Sequence, residues 1–294
     1  MQKNTIKTPK NIKELEECLK LADDYTYLIS GCTDFMIRMR QYSIRYGRLI
    51  DLTGIDDIKY IKESASCIKI GAGTILTDIA ENESVNKYIR ALAQAAGKIG
   101  STQIRNAATI AGNIANASPC ADTITPLMAF NAKLKVLNGR GKIVERRIDE
   151  VVAGAGSNFL KKDEAIIEVS IPKYNENYLS AFSKLGSRTS VTISKLNAAA
   201  LVKISNKNII EDAYMFLGAL APKAFSCQLA EKVLLDKKPG MKVFKSFCEA
   251  LTKQVDIAIP KRSSRYYKRE AILGLAYDIF RKLFGEDILK GDME

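Results

Sequence analysis

The sequence predicts an α+β protein, and three features carry that expectation. Short helical and strand-like runs are mixed through the first 170 residues. A polar segment, Lys173 to Tyr178 ("KYNENY"), then interrupts the pattern. Beyond it, strands come first and helices afterwards, an order that segregates the two kinds of element.

Taken in order, "NIKELEECLKLA" places Ile12, Leu15, Leu19 and Leu21 near helical spacing behind Asn11, a residue type suited to capping a helix N-terminus. "YTYLISG" is a β-branched and aromatic run ending in glycine and reads as a strand, as do "RLIDLTGI" and "CIKIGAGTIL". "SVNKYIRALAQAAGKIG" reads as one helix stopped by Gly97 or Gly100. "TPLMAFNAKLKVLNGRGKIVERRI" predicts a short helix and two strands around an Asn-Gly turn at Asn138 and Gly139, and "AIIEVSIP" a further strand. "SVTISKLNAAALVKISNKNIIEDAYMFLGAL" alternates like antiparallel strands joined at "NKN". From Gln228 onward the helical pattern dominates, in "CQLAEKVLLDK", "MKVFKSFCEALTKQVD" and "YYKREAILGLAYDIFRKLFGE". "TIAGNIANASPCAD", Thr109 to Asp122, fits neither pattern: its small residues argue against a helix, and it lacks the alternation of an exposed strand.

Composition narrows the chemistry. The chain has 294 residues, 47% of them hydrophobic and 27% charged, as in ordinary globular proteins of two or three domains. The N-terminal stretch is polar, and no apolar run approaches the roughly 20 residues needed to cross a bilayer, so a cytoplasmic protein without membrane association is expected. Histidine is absent. That removes Ser-His-Asp and Cys-His nucleophiles, most catalytic zinc sites and any histidyl link to a cofactor. A bound organic cofactor would supply the missing chemistry. Cys18, Cys32, Cys67, Cys120, Cys227 and Cys248 show no C-x-x-C spacing, which argues against metal or an iron–sulfur cluster held by this chain. The formal charge is +12. Its dispersal, apart from "PKRSSRYYKRE" at 260–270, favours phosphate-bearing cofactors and acidic partner subunits over nucleic acid.

Two segments have the form of strand, small residues, polar cap. In "LISGCTDF", Leu28 and Ile29 end a strand, Ser30, Gly31 and Cys32 turn, and Thr33 and Asp34 offer oxygens and open amides. In "TIAGNIANASP", Ala111 and Gly112 clear space and Asn113 offers an amide. Such segments admit an anion to the backbone, although each also reads as a tight turn shaped by packing. "GAGTIL" (71–76) and "GAGSNF" (154–159) start like a dinucleotide fingerprint, but Leu76 and Phe159 stand where a small third residue belongs.

"GSTQIRNAATIAGNIANASPCADTITPLMAFNAKL" closely resembles the second flavin-binding segment of the FAD (medium) subunits of molybdenum hydroxylases, the xanthine dehydrogenase and carbon monoxide dehydrogenase family. "LISGCTDF" resembles the first segment, and "AFSKLGSR", "LGALAPKAF" and "RSSRYYKRE" continue the likeness in the expected order. The resemblance implies a two-subdomain FAD-binding domain of the vanillyl-alcohol-oxidase (PCMH) type over residues 1–175, with subdomains of about 1–55 and 56–175. A C-terminal α+β domain with a small antiparallel sheet and helices would follow over 176–294.

By the same resemblance, Leu28 and the loop Ile29 to Phe35 (Ile29, Ser30, Gly31, Cys32, Thr33, Asp34, Phe35), together with Thr109, Ile110, Ala111, Gly112 and Asn113, would hold the FAD diphosphate. Asp122 would meet the ribityl chain or adjoining polar groups, Ile99 and Ile166 would face the cofactor, and Lys184 would lie close to the isoalloxazine. For Ile99 and Ile166 plain core is the alternative, and for Lys184 a solvated edge. No catalytic side chain is implied. Cys32 and Ala111 stand where relatives usually have glycine, at a cost of roughly 1–2 kcal/mol if either backbone is left-handed.

The implied function is electron transfer. FAD, bound non-covalently, would take electrons singly from a separate [2Fe-2S] subunit, fed by a large molybdopterin subunit where substrate is hydroxylated, and pass them as hydride to NAD. A self-sufficient FAD-dependent dehydrogenase or oxidase, or a basic binding or assembly protein without redox turnover, is the alternative.

Overall fold

The computed structural model describes residues 4–289. The chain opens with β1 (Thr5–Lys7), α1 (Ile12–Lys20), β2 (Thr26–Ile29), α2 (Phe35–Tyr42) and β3 (Arg48–Asp51). The three strands form a parallel sheet with β3 in the middle. Asn11 caps α1 as its residue type suggests, its Oδ1 accepting from the Glu14 amide at 3.0 Å, and Leu15 and Leu19 face the core. Nothing on α2 is buried.

A second sheet is antiparallel, in the order β4 (Ile61–Glu63), β5 (Cys67–Gly71), β10 (Glu164–Pro172), β6 (Lys133–Asn138) and β7 (Ile143–Arg147). Its connections hold α3 (Leu76–Glu81), α4 (Glu83–Tyr88), α5 (Arg90–Gly97), α6 (Thr102–Arg105), α7 (Ile110–Asn116) and α8 (Ile124–Ala129). Then come β6 (Lys133–Asn138), β7 (Ile143–Arg147), α9 (Ile148–Val151), the small ribbon β8 (Val152–Gly154) and β9 (Ser157–Asn158), and β10 (Glu164–Pro172). β10 is buried along most of its length, which explains why "AIIEVSIP" runs apolar instead of alternating.

Three expectations are corrected. The single helix expected across 84–100 is two, broken at fully buried Ile89 (φ −133°, ψ 46°), which sets α5 against α3 and the strand β11 described below. An apolar residue at the break keeps the periodicity and hides it. The β6–β7 hairpin forms, but the left-handed residue in its turn is Gly141; Asn138 instead accepts from the Arg140 and Lys142 amides. And the small-residue stretch judged unfit for a helix contains α7. Thr109 caps it by accepting from Gly112 N, and buried Ile110, Ala111 and Ile114 anchor it, so packing outweighs the weak propensity of its glycine and asparagines.

The C-terminal part has an antiparallel sheet of β11 (Tyr178–Leu185), β12 (Leu196–Ile204), β13 (Ile210–Gly218) and β14 (Phe225–Ser226). It is followed by α10 (Gln228–Leu234), α11 (Met241–Ala258) and α12 (Arg265–Phe284). The alternation read from Ser190 onward begins only at Leu196; residues 186–195 form a loop in which Val191 is left-handed (φ 47°). One core lies around the first two sheets and α3–α8, and a second lies between the C-terminal sheet and α10–α12.

α12 is tied to β11 by Lys282, whose ammonium donates to the Phe182 carbonyl at 2.6 Å. Burial, together with the nearby cations of Lys98, Arg281 and Arg90, pushes Lys282 down to about 8, against partial compensation by Asp278. Because the folded value lies below that of the unfolded chain, the unfolded state binds more protons above pH 8, and stability contributed at this residue rises with pH until about 10.4. The melting temperature of the wild type relative to Lys282→Met should therefore climb between pH 8 and 10 and stay flat below pH 7, as read by thermal melts across that range.

Candidate functional site

A cleft of about 840 Å³ opens between the first sheet's C-terminal edge, the α5–α7 segment, β10 and the loop after β11. Leu28, Ile29, Ser30, Gly31, Cys32, Thr33, Asp34 and Phe35 line it from one side, and Thr109, Ala111, Gly112 and Asn113 from the other. Half-buried Ile99, buried Ile166, Asp122 and Lys184 complete the expected set. Ile110 is the exception: it is fully buried in the core and does not reach the cleft.

The two small-residue segments touch. The Thr109 hydroxyl donates to Ser30 Oγ at 3.2 Å. A Cβ on Gly31 would lie 1.9 Å from the Ala107 carbonyl oxygen, so this glycine is required by the approach of the second segment's own backbone. The packing reading of the turn therefore holds at Gly31, and it holds together with the cleft, not instead of it.

Their backbones differ in what they offer. Among the described residues, no acceptor is bonded to the N–H groups of Gly31, Cys32, Thr33 and Asp34. Cys32 is left-handed (φ 53°), and a left-handed residue within such a run is the backbone pattern of an anion-binding nest. The second segment has no such surplus. Ile110 N donates to Thr74 O, Ala111 N to Ala72 O, Gly112 N to Thr109 Oγ1 and Asn113 N to Thr109 O. Of the open amides expected there, those of Ile110 and Ala111 are taken by the turn after β5, and those of Gly112 and Asn113 by Thr109. That turn is "GAGT" of the first rejected fingerprint, whose Gly71 is needed because a Cβ would lie 2.3 Å from Ile58 O. Asn113 keeps one free function: its Oδ1 accepts from Thr123 Oγ1 at 2.6 Å, while its amide nitrogen has no partner among the described residues.

Of the two residues standing in for glycine, only Cys32 pays for it. Ala111 sits in α7 with helical backbone, so no strain attaches to it. Cys32→Gly should raise stability by about 1 kcal/mol without altering the cleft, a change measurable by denaturant titration.

Asp122 and Lys184 form an ion pair at the cleft wall, 2.6 Å apart, with side chains 4% and 7% exposed. Asp122 Oδ1 also accepts from Ser194 Oγ at 2.5 Å and Asn197 Nδ2 at 3.0 Å, and Lys184 donates to Lys98 O at 2.9 Å. Burial pushes the Asp122 carboxyl above the usual carboxylate range, opposed by Lys184 and the two neutral donors. Lys184 is thus neither at a solvated edge nor an unbalanced cation: its charge is compensated, and Asp122 has no oxygen left unbonded.

Sequence reasoning missed part of the lining. Gly156, Asn158 and Lys161–Lys162 reach the cleft from the end of the β8–β9 ribbon and the loop before β10. The ribbon is the second rejected fingerprint; Gly156 N bonds Ala117 O and Asn158 Nδ2 bonds Ala115 O, fastening it to the end of α7. The paired glycines were the available signal, read as a failed nucleotide motif and not as a turn against α7. Arg38 and Asn116, joined at 3.5 Å, and the 191–194 loop also line the cleft.

The chain is similar to known proteins over nearly its whole length. Residues 2–174 match the family described as the FAD binding domain in molybdopterin dehydrogenase, and residues 180–283 match the CO dehydrogenase flavoprotein C-terminal domain. The chain is 29% identical over 279 residues to the nicotinate dehydrogenase FAD-subunit of Eubacterium barkeri, covering 92% of this chain and 93% of that one. It is 29% identical over 265 residues to the xanthine dehydrogenase FAD-binding subunit of Escherichia coli O157:H7, covering 89% and 88%. A solved chain of carbon monoxide dehydrogenase from Hydrogenophaga pseudoflava shares the fold, with a TM-score of 0.85 and 23% identity over 96% of this chain and 97% of that one. With both parts of the chain matched in this way, the chain belongs to the family of FAD-binding flavoproteins of the molybdopterin dehydrogenases.

Proposed function

We propose that this cleft binds FAD non-covalently and that the chain is the electron-transfer subunit of a heteromeric, xanthine dehydrogenase-like molybdenum hydroxylase. In this reading residues 1–175 form the FAD-binding domain, with lobes of about 1–55 and 56–175, and residues 176–294 the second domain. The single observation that carries it is the run of four unbonded amides, Gly31 to Asp34, at the wall of a cleft large enough for a dinucleotide. The residues fit the cofactor: those amides suit a diphosphate, Asn113 offers an NH₂ donor, and Ile99 and Ile166 give apolar faces for a ring. Lys161 and Lys162 add positive charge to the same cleft.

Bound flavin would supply the conversion between one- and two-electron carriers. The chain's own part is to position it, exclude water from it and hold the Asp122–Lys184 pair beside it. Electrons would come from [2Fe-2S] clusters on a partner subunit served by a large molybdopterin subunit, and would leave to NAD, in the cytoplasm. The names of the relatives support the redox class, and the lack of histidine supports non-covalent attachment.

The test is direct. The purified chain should bind FAD at one equivalent, more tightly than FMN, and acid precipitation should leave all yellow colour in the supernatant. Colour retained on the polypeptide overturns the attachment, and a chain that FAD neither colours nor stabilises overturns the function. Turnover of an organic donor by the chain alone would instead identify a self-sufficient dehydrogenase.

A further inference from the structure

The polar groups of the cleft fall into two sets. Around Lys184 stand Asp122, Ser194 and the Lys98 carbonyl. Around Lys162 stand Lys161, Tyr27 and Phe35: the Lys162 ammonium lies 5.0 Å from the centre of the Tyr27 ring, whose centroid is 5.7 Å from that of Phe35. Tyr27 and Phe35 bracket the loop that carries the four unbonded amides. With the flavin ring beside Lys184, as in the reading above, the second set is left for the other half of a dinucleotide.

Lys161 and Lys162 are exposed at the cleft, and among the described residues neither ammonium is in an ion pair. Two adjacent like charges repel, and on a free loop they would spread into solvent. This loop is held at both ends. Asn158 fastens its start, with Nδ2 donating to Ala115 O at 2.7 Å and Oδ1 accepting from Leu160 N at 3.0 Å. Glu164, its side chain 4% exposed, closes its end: Oε2 accepts from the Lys161 amide at 2.9 Å, and the Glu164 amide donates to Lys161 O at 3.0 Å. Between them the Asp163 carbonyl accepts from Gly139 N at 2.9 Å.

Arg146 completes the arrangement from outside the cleft. It stands on β7, with β6 between it and β10, and its guanidinium grips Glu164 through two nitrogens, Nη1 to Oε2 at 2.9 Å and Nη2 to Oε1 at 2.6 Å. A forked pair fixes the orientation of the carboxylate as well as its place. Burial works against the Glu164 charge, yet Arg146 and the Lys161 amide hold its carboxyl below the usual range. A buried ion pair stabilises a sheet no better than apolar packing would. One that also bonds the backbone of a lysine turn has a second use.

We propose that Arg146 and Glu164 are positioning residues, which set the Lys161–Lys162 turn beside the Tyr27–Phe35 pair so that the two ammonium groups and the aromatic rings receive the adenylate half of the cofactor and make the chain select FAD over FMN. The proposal rests on the FAD reading above and assigns the residues that confer this selectivity. The cations suit the phosphate and the rings suit a purine.

The test is calorimetric titration of the flavin-free full chain with FAD, FMN and ADP. Lys161→Ser with Lys162→Ser, a change at exposed positions, should weaken FAD binding by about tenfold or more and FMN binding by less than about threefold. Arg146→Met should do the same, and in the chain already lacking both lysines it should alter the FAD-to-FMN ratio no further. Arg146→Lys keeps the charge without the fork and should fall between wild type and Arg146→Met; it supplies the same readout should the methionine variant fail to fold. ADP should compete with FAD on the wild type and far less on the variants. A FAD-to-FMN ratio unchanged by the paired lysine substitutions overturns the proposal. Equal loss of both flavins in the Arg146 variants also overturns it, because general damage to the fold would do that. A wild-type chain that binds neither flavin overturns the FAD reading itself, and this proposal with it.

Discussion

Gly31→Ala should abolish flavin retention and destabilise the chain by about 1–3 kcal/mol, a fall in melting temperature of about 2–12 °C. The added methyl would lie 1.9 Å from the Ala107 carbonyl oxygen and 2.9 Å from the Ala108 Cα, both backbone atoms that no side-chain rotation can move aside. Relief requires the first loop to back away from the second segment, and the Thr109–Ser30 hydrogen bond is lost as it does so. The four amides of Gly31 to Asp34 move with it. Each 1.4 kcal/mol of misplacement weakens binding tenfold.

Gly112→Ala is the informative control, since the methyl there meets only the Thr109 hydroxyl, at 2.8 Å. It should cost about 1 kcal/mol through the disturbed cap and leave flavin bound. Calorimetry of both variants with and without FAD decides the matter. Equal effects would mean that the loops do not meet as described.

The contrast between these glycines shows which parts of the site the sequence displays. A run such as "LISGCTDF" announces close backbone approach, because only small residues permit it, but what approaches is not written there: at Gly31 it is Ala107, at the adjoining amides an unmet need for acceptors. In the second segment the same composition has a different cause. The Ala-Gly-Asn run hides α7, whose amides Ile110 and Ala111 are claimed by carbonyls more than thirty residues earlier. Helices α1, α11 and α12 were legible because a period of 3.6 needs no tertiary context. The break at Ile89 and the role of Gly156 exist only through packing partners distant in the chain. So does the company of Asp122, drawn from positions 62, 72 and 75 residues away.

Asp122→Asn should be the most destabilising conservative change at the cleft, costing about 3–5 kcal/mol. The substitution keeps the shape but leaves the Lys184 ammonium, 7% exposed, without a counter-charge, and replaces an acceptor of Ser194 and Asn197 with a group that can satisfy them only in part. Lys184→Met in the same chain should recover much of the loss, because removing both charges is far cheaper than stranding one. The coupling read from the double-mutant cycle should be favourable and larger than 1 kcal/mol. The same pair of variants separates two accounts of Lys184. If the ion pair is electrostatically neutral toward the cleft, Lys184→Met with Asp122→Asn should leave the reduction potential of bound flavin near that of the wild type. Asp122→Asn alone, with an uncompensated cation at the wall, should raise it by favouring the more negative reduced form. A potential unmoved by Asp122→Asn, measured on protein shown to be folded and flavin-loaded, would place the pair outside the electrostatic reach of the ring and limit it to holding β11 and the 191–194 loop against the cleft.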